Sequence, residues 1–317
     1  MMPFRAFAVV AVLACSAVAQ DAPEVKTVEY EARSVARKLK YNIVLPKNYD
    51  ASPEKKYPVL YLLHGYTSNY MDWAKLGAGK AALPFDLIVV MADGGNSWYV
   101  NWSKSEGDVK NAWEDALIKD LIPHVDATYR SIPTREGRAI NGLSMGGYGA
   151  MTVGLRHPEM FASVGSHSGA IGFARSVGKK IRDGEDLKKG QRKQSEDPNL
   201  ALGMPDFDSQ AERTPKGDLF DTTDAADAHD PFILVTKIPV KEMPHLYIDC
   251  GTEDFLYNDN REFVKLLLDK KIPFTWAESP GGHSPPYWAR EIYQSVALQY
   301  LAINRALKLA EAASKQE

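Results

Sequence analysis

Nine residues constrain this chain more than any others: Ala139-Ile140-Asn141-Gly142-Leu143-Ser144-Met145-Gly146-Gly147. They read as the end of a strand, a sharp glycine turn and the start of a helix, with a serine at the apex. The central five match the G-x-S-x-G pattern of a nucleophile elbow. A serine held on so tight a turn needs small neighbours two residues before and two after it, because a Cβ at either place would clash. The helix that follows aims backbone N–H groups at any negative charge developing beside Ser144. By itself a five-residue pattern also suits a glycine-rich strand–helix turn with an incidental serine, so partners elsewhere must decide.

The flanking chain alternates strand and helix patterns. Val25–Ala32 and Leu39–Leu45 are β-type runs around a charged turn and predict an antiparallel hairpin at a sheet edge. Tyr57–Leu63 and Leu87–Met91 are almost wholly apolar, as strands buried on both faces are. Asn111–Tyr129 carries Trp113, Leu117, Leu121, Ile122 and Val125 at helical spacing, with Pro123 a candidate kink. Arg138–Asn141 leads into the elbow, Gly146–His157 is the helix after it, and Ala162–Gly169 is a further strand. His245–Cys250 (strand), Asn258–Lys271 (helix), Phe274–Glu278 (strand) and Tyr287–Leu307 (helix) close the chain. This alternation predicts an α/β-hydrolase fold: a mainly parallel, doubly wound sheet with an antiparallel N-terminal hairpin and an inserted, cap-like segment. Ligands of such sheets sit outside the carboxyl ends of the strands.

Three segments fall outside the pattern. Met1–Arg5, the apolar run Ala6–Ala14 and Ala17-Val18-Ala19 read as a secretory signal peptide over residues 1–19. Lipid attachment at Cys15 is the weaker alternative, since Leu13 fits a lipoprotein signal poorly. Cleavage leaves Cys250 as the one cysteine, so no disulfide or cysteine metal site is expected. Residues 171–243 form a charged insertion within a hydrolase domain of residues 25–307, and Lys179–Asp197 is almost devoid of apolar residues. Asp221, Asp224, Asp227 and Asp230 lack the glycine and terminal glutamate of an EF-hand loop and read as solvated acids and helix caps. Residues 308–317 read as a charged tail. A net charge of −3 over 317 residues gives no footprint for nucleic acid. The short N-terminal apolar run is no membrane span.

The strand ends supply the serine with partners. Asp254 follows the His245–Cys250 strand and His283 follows the last strand, giving the chain order Ser, Asp, His. Ser144 needs a base near neutral pH, which His283 supplies. Asp254 then holds the imidazole tautomer and stabilises the imidazolium. Gly281-Gly282 is expected to bring the His283 backbone close to the elbow. Asp249, Glu253 and Asp259 compete for the acid role, Asp249 being within a strand. His64 reads as a buried support for a neighbouring loop, and His124, His157, His167, His229 and His245 as structural or surface residues. Oxyanion donors are expected from the N–H of Met145 and, after the Tyr57–Leu63 strand, of Tyr66. No metal-ligand spacing is present, so neither metal nor cofactor is expected. Trp98, Tyr99 and Trp288 are candidates to line an acyl or aromatic pocket, and equally to pack the core.

Together, His64-Gly65-Tyr66 with Trp73 after it, Asp93 with Trp98-Tyr99, Gly142–Gly147, Cys250-Gly251-Thr252-Glu253-Asp254-Phe255-Leu256-Tyr257 and Gly281-Gly282-His283 resemble the esterase D-type esterases of the α/β-hydrolases. That group includes tributyrin, feruloyl and other carbohydrate esterases, S-formylglutathione hydrolases and, more distantly, mycolyltransferases. The likeness runs from about Tyr41 to Tyr300, without most of the insertion. It implies Ser144, Asp254 and His283 as triad and Tyr66 and Met145 as oxyanion donors, the same five residues reached from the pattern. The expected protein is an exported serine carboxylesterase acting on short-chain or aromatic acyl esters of small molecules or carbohydrates. Mycolyl-type acyl transfer and S-formylglutathione hydrolysis are alternatives. A carbohydrate-binding protein on the same scaffold would lack a member of the trio. The double proline Pro285-Pro286 departs from the family pattern and is expected to stiffen a substrate-facing turn.

Overall fold

The computed structural model describes residues 23–107, 110–185 and 213–315. The expected signal peptide, Cys15 and most of the Lys179–Asp197 segment lie outside the described residues. Eight strands form one sheet: β1 (Lys26–Ala32), β2 (Arg37–Val44), β3 (Val59–Leu63), β4 (Ile88–Ala92), β5 (Arg138–Gly142), β6 (Ser163–His167), β7 (His245–Gly251) and β8 (Phe274–Ser279). Their order is β1-β2-β4-β3-β5-β6-β7-β8. The expected hairpin β1–β2 is antiparallel, with Tyr30 opposite Leu39, and β2 runs antiparallel to β4. All other pairings are parallel.

Every residue of β3 and β4 is buried, which is why both runs are apolar throughout. The pleat divides them between two cores. Val59, Tyr61 and Leu63, with Ile88, Val90 and Ala92, face one side; Leu60 and Leu62, with Val89 and Met91, face the other. The first core is covered by the helix expected over Asn111–Tyr129 and by α1 (Met145–Arg156), the second by the long final helix. The helix expected over Asn111–Tyr129 changes type directly ahead of Pro123. Its segments Trp113–Asp115 and Ile122–Thr128 are joined by a π-helical turn, Ala116–Leu121, that widens the ladder just before the proline with its missing N–H.

Within the insertion, α2 (Phe173–Arg182) packs against a short helix, Thr223–Asp227, around Ala174, Ala226 and Phe220. Gly217–Asp218 pairs antiparallel with Lys104–Ser105. The four aspartates are spent locally: Asp230 caps the Pro231–Leu234 helix, Asp227 faces Arg182 at 3.6 Å, Asp221 faces Lys104 at 3.5 Å, and Asp224 sits in the first turn of its own helix. After α3 (Tyr257–Asp269) and β8, α4 covers Pro285–Ser314. Pro285 and Pro286 are therefore the first turn of a helix, where a missing N–H costs nothing, and do not form a separate turn. The expected tail is helical as far as Ser314, with Glu311 and Lys315 paired at 3.8 Å.

The sheet order reverses at β3. From it the chain moves to β4 on one side, then to β5 and onward on the other. The carboxyl ends of β3 and β5 thus flank the crevice where this architecture binds ligands.

Candidate active site

Ser144 stands between the last residue of β5 and the first of α1, with φ 54° and ψ −117°. An L residue holds such a conformation at a cost of about 1–3 kcal/mol, which the surrounding structure must offset. Its N–H donates to the His167 carbonyl (3.0 Å), and its own carbonyl accepts from Tyr148 N–H (3.0 Å). The glycines serve as the spacing implied. A Cβ on Gly142 would come within 2.2 Å of the Gly146 carbonyl oxygen, and one on Gly146 within 2.2 Å of the Leu63 carbonyl oxygen.

The structure brings the expected partners to this serine. His283 Nε2 lies 2.9 Å from Ser144 Oγ, and His283 Nδ1 lies 2.9 Å from Asp254 Oδ2. The other Asp254 oxygen accepts the Leu256 N–H at 2.8 Å, and the carboxylate is sealed from solvent. With both carboxylate oxygens accepting, the proton of a neutral His283 belongs on Nδ1, leaving Nε2 free to take the serine proton. Gly281 also bonds the acid loop. Its carbonyl accepts the Glu253 N–H (3.0 Å), so the glycine pair joins the histidine loop to the acid loop.

The backbone N–H of Met145 opens α1 beside Ser144. Tyr66 follows Gly65, where a Cβ would meet the Leu143 side chain at 2.7 Å and Ser144 Cβ at 3.5 Å. That close approach sets the main chain just before Tyr66 against the elbow. His64 is buried below it: Nδ1–H donates to the Gly65 carbonyl (2.7 Å), and Nε2 accepts the Gly94 N–H (3.0 Å). It supports the loop, as its position at a strand end implied. Asp93, 3.4 Å from His64 Nε2, receives a two-pronged contact from Arg213 at 2.8 and 3.2 Å. Burial pushes the Asp93 carboxyl up, but hydrogen bonding and charge from its neighbours, the Arg213 guanidinium among them, outweigh it and hold the group below the usual carboxylate range.

The aromatic candidates separate. Trp98 is half-buried, lies face to face on Phe173 (3.4 Å between centroids, 2°), presents its edge to Tyr148 and tilts against the exposed Tyr66 at 6.0 Å. Trp288 meets the His283 ring edge-on at 4.9 Å and is 8% exposed. Tyr99 does not line a cleft. It is buried, and its hydroxyl donates to the His64 carbonyl (3.1 Å), so it holds up the loop from below.

Phe255, unassigned from sequence, is 73% exposed with its ring 4.7 Å from that of His283. A large apolar residue directly after the acid, at a strand end, was the available signal. Phe173 and Arg213 lie in the insertion, where no periodicity marks them.

A second arrangement of the same residue types sits deeper. His167 Nδ1 is 2.6 Å from Asp249 Oδ2, off the line of a good hydrogen bond, and its Nε2 is 2.8 Å from Ser295 Oγ. All three are fully buried, so no substrate reaches them, and Asp249 is structural.

Sheet order, strained serine turn and strand-end histidine and carboxylate together define an α/β-hydrolase. The chain belongs to the family described as Putative esterase, whose model matches residues 32–298, and it is a carboxylic ester hydrolase. It is 29% identical over 239 residues to an acetyl esterase of Caldicellulosiruptor saccharolyticus, covering 74% of this chain and 79% of the relative. It is 31% identical over 256 residues to an esterase of Mycobacterium tuberculosis, covering 76% of this chain but 52% of that longer protein. A ferulic acid esterase structure superposes with a TM-score of 0.64 at 25% identity, covering 88% of this chain and 98% of the other.

Proposed function

We propose that this chain is an exported serine carboxylesterase that cleaves short-chain or aromatic acyl esters of carbohydrates or small alcohols through an acyl-enzyme. The hydrogen-bonded series Ser144–His283–Asp254 carries the reading. Ser144 Oγ attacks the ester carbonyl as His283 Nε2 takes its proton. The carbonyl oxygen becomes an oxyanion facing the N–H groups of Met145 and Tyr66, each worth about 3–4 kcal/mol to the barrier. Asp254 stabilises the imidazolium. When the tetrahedral adduct collapses, Nε2–H protonates the departing alkoxide. Water then repeats the sequence on the acyl-enzyme, with His283 as base, and releases the acid and free Ser144.

The half-buried Trp98–Phe173 stack beside Tyr66 favours a flat or short acyl group. The departing alcohol takes its proton from His283, so it leaves on the side of Phe255. The names of the relatives, an acetyl esterase and a ferulic acid esterase, agree with this range of acyl groups. Export rests on the N-terminal pattern of residues 1–19 and disfavours S-formylglutathione, a thioester of the reducing cytosol.

The test compares hydrolysis of p-nitrophenyl acetate by the wild-type protein and Ser144→Ala. A loss of about 10⁴-fold or more is expected, and equal rates would refute the reading. Methyl ferulate, acetylated xylan and p-nitrophenyl esters of rising chain length then rank acyl groups. Faster transfer to a sugar hydroxyl than to water would make the protein an acyltransferase instead.

A further inference from the structure

Two residues at the return of the insertion, Arg213 and Thr214, make a dense set of bonds to the loop that carries Tyr66. Arg213 Nη2 donates to the Ser68 carbonyl (2.7 Å) and to Asp93 Oδ1 (2.8 Å), while Nη1 reaches Asp93 Oδ2 (3.2 Å). The Arg213 carbonyl accepts the Asn96 N–H (3.0 Å). Asn96 Nδ2 donates to Thr214 Oγ1 (2.9 Å), and the Thr214 hydroxyl contacts that of Tyr66. Asn96 Oδ1 in turn accepts the Thr67 N–H at 2.8 Å.

What these bonds restrain is a strained backbone. Thr67, directly after Tyr66, has φ 65°. A β-branched residue is a genuine outlier in that left-handed region and stays there only where its surroundings hold it. Asn96 holds it directly, and Arg213 and Thr214 hold Asn96. Released, Thr67 relaxes toward negative φ and turns the Tyr66–Thr67 peptide, which shifts Tyr66 and so moves its N–H, one peptide further back, away from the position a carbonyl oxygen would occupy beside Ser144.

We propose that Arg213 and Thr214 are positioning residues that clamp the Tyr66 loop in its oxyanion-binding conformation, so that the insertion supplies part of the catalytic scaffold. The proposal rests on the esterase reading above. A clamp of this kind acts on the transition state, because the oxyanion forms only there, and leaves the binding of the neutral ester nearly unchanged.

The experiment measures p-nitrophenyl acetate hydrolysis by the full chain carrying Arg213→Ala, Arg213→Lys, Thr214→Val or Ser144→Ala, with urea unfolding of each. Loss of one oxyanion donor lowers kcat about 10²–10³-fold, so a displaced donor should lower it about 10–100-fold in Arg213→Ala. KM should stay within about threefold. Binding of a trifluoromethyl ketone should weaken in parallel with kcat/KM. Millimolar guanidinium ion should restore part of the Arg213→Ala activity. Arg213→Lys, which keeps the charge but not the fork, should fall between, and Thr214→Val should show a smaller loss of the same kind. If Arg213→Ala does not fold, the lysine and valine variants carry the same comparison. A folded variant with kcat within twofold of wild type, or a rise in KM with kcat unchanged, overturns the clamp while Ser144→Ala remains inactive. A fully active Ser144→Ala overturns the esterase reading itself.

Discussion

Asp254→Asn should disable this enzyme through a proton placed on the wrong nitrogen. The Leu256 N–H donates to one carboxylate oxygen and His283 Nδ1 to the other, at 2.8 and 2.9 Å. An asparagine can offer only one acceptor. If its oxygen keeps the Leu256 N–H, its NH₂ faces Nδ1 and drives the imidazole proton to Nε2, opposite Ser144. That tautomer cannot accept the serine proton. Reaching the reactive tautomer requires turning the amide over, which strands the Leu256 N–H against NH₂ at about 1–3 kcal/mol. Losing the bond from a charged acceptor to the imidazolium adds about 1.5–3 kcal/mol. The two together approach 5 kcal/mol, or between three and four powers of ten in kcat at about 1.4 kcal/mol each. Steady-state hydrolysis of p-nitrophenyl acetate measures the loss, and ¹⁵N NMR of the histidine ring should find His283 protonated at Nε2. A folded Asp254→Asn enzyme retaining kcat within tenfold of wild type would refute the reasoning.

Two further outcomes follow, one from a buried ion cluster at the far end of α1 and one from the site. Glu114 is buried against Arg156 (3.0 Å) and His157 (2.7 Å), with His229 at 3.7 Å. Burial pushes its carboxyl up, but these partners outweigh it and hold the group below the usual range. A depressed carboxylate stabilises the fold above its unfolded pKa and loses that contribution as the pH falls. Glu114→Gln should therefore cost about 3 kcal/mol in urea unfolding at pH 5. The gap to wild type should narrow by up to about 1.4 kcal/mol per pH unit below about pH 4.5, and an unchanged gap at pH 3 would contradict this. Phe255→Ala should raise KM about tenfold for esters of bulky or cyclic alcohols, the loss of one aromatic contact of about 1.4 kcal/mol. It should spare the methyl ester of the same acid, and equal effects on both would remove Phe255 from the alcohol side.

The features legible in the sequence are those that each satisfy a local constraint. Gly142 and Gly146 flank Ser144 because the turn admits no Cβ, and that exclusion acts within five residues. The apolar runs of β3 and β4 declare burial on both faces. Asp254 and His283 were legible because a strand end is marked by the change from apolar residues to a glycine-rich polar loop. The distinction between Asp254 and Asp249 followed from the alternation of a strand.

What tertiary structure alone decided involves contacts between distant segments that leave no periodic trace. Tyr99 stands next to Trp98 in the chain, yet one is buried beneath the His64 loop and the other is half-buried between Tyr66 and Phe173. Their backbones, at φ 57° and 62°, break the alternation that would have told them apart. Arg213 and Phe173 come from a charged insertion whose position over the sheet depends on how it folds back. Two serine–histidine–aspartate groupings exist among the described residues, and composition cannot rank them; burial does, since Ser295–His167–Asp249 is closed to solvent while Ser144 and His283 are partly exposed. The sequence by itself thus determined the serine of the elbow and the histidine and aspartate that meet it, through sterics and strand ends. The loop supports and the aromatic walls were decided only by packing across the sheet, because groups 30 to 145 residues apart must meet before their roles exist.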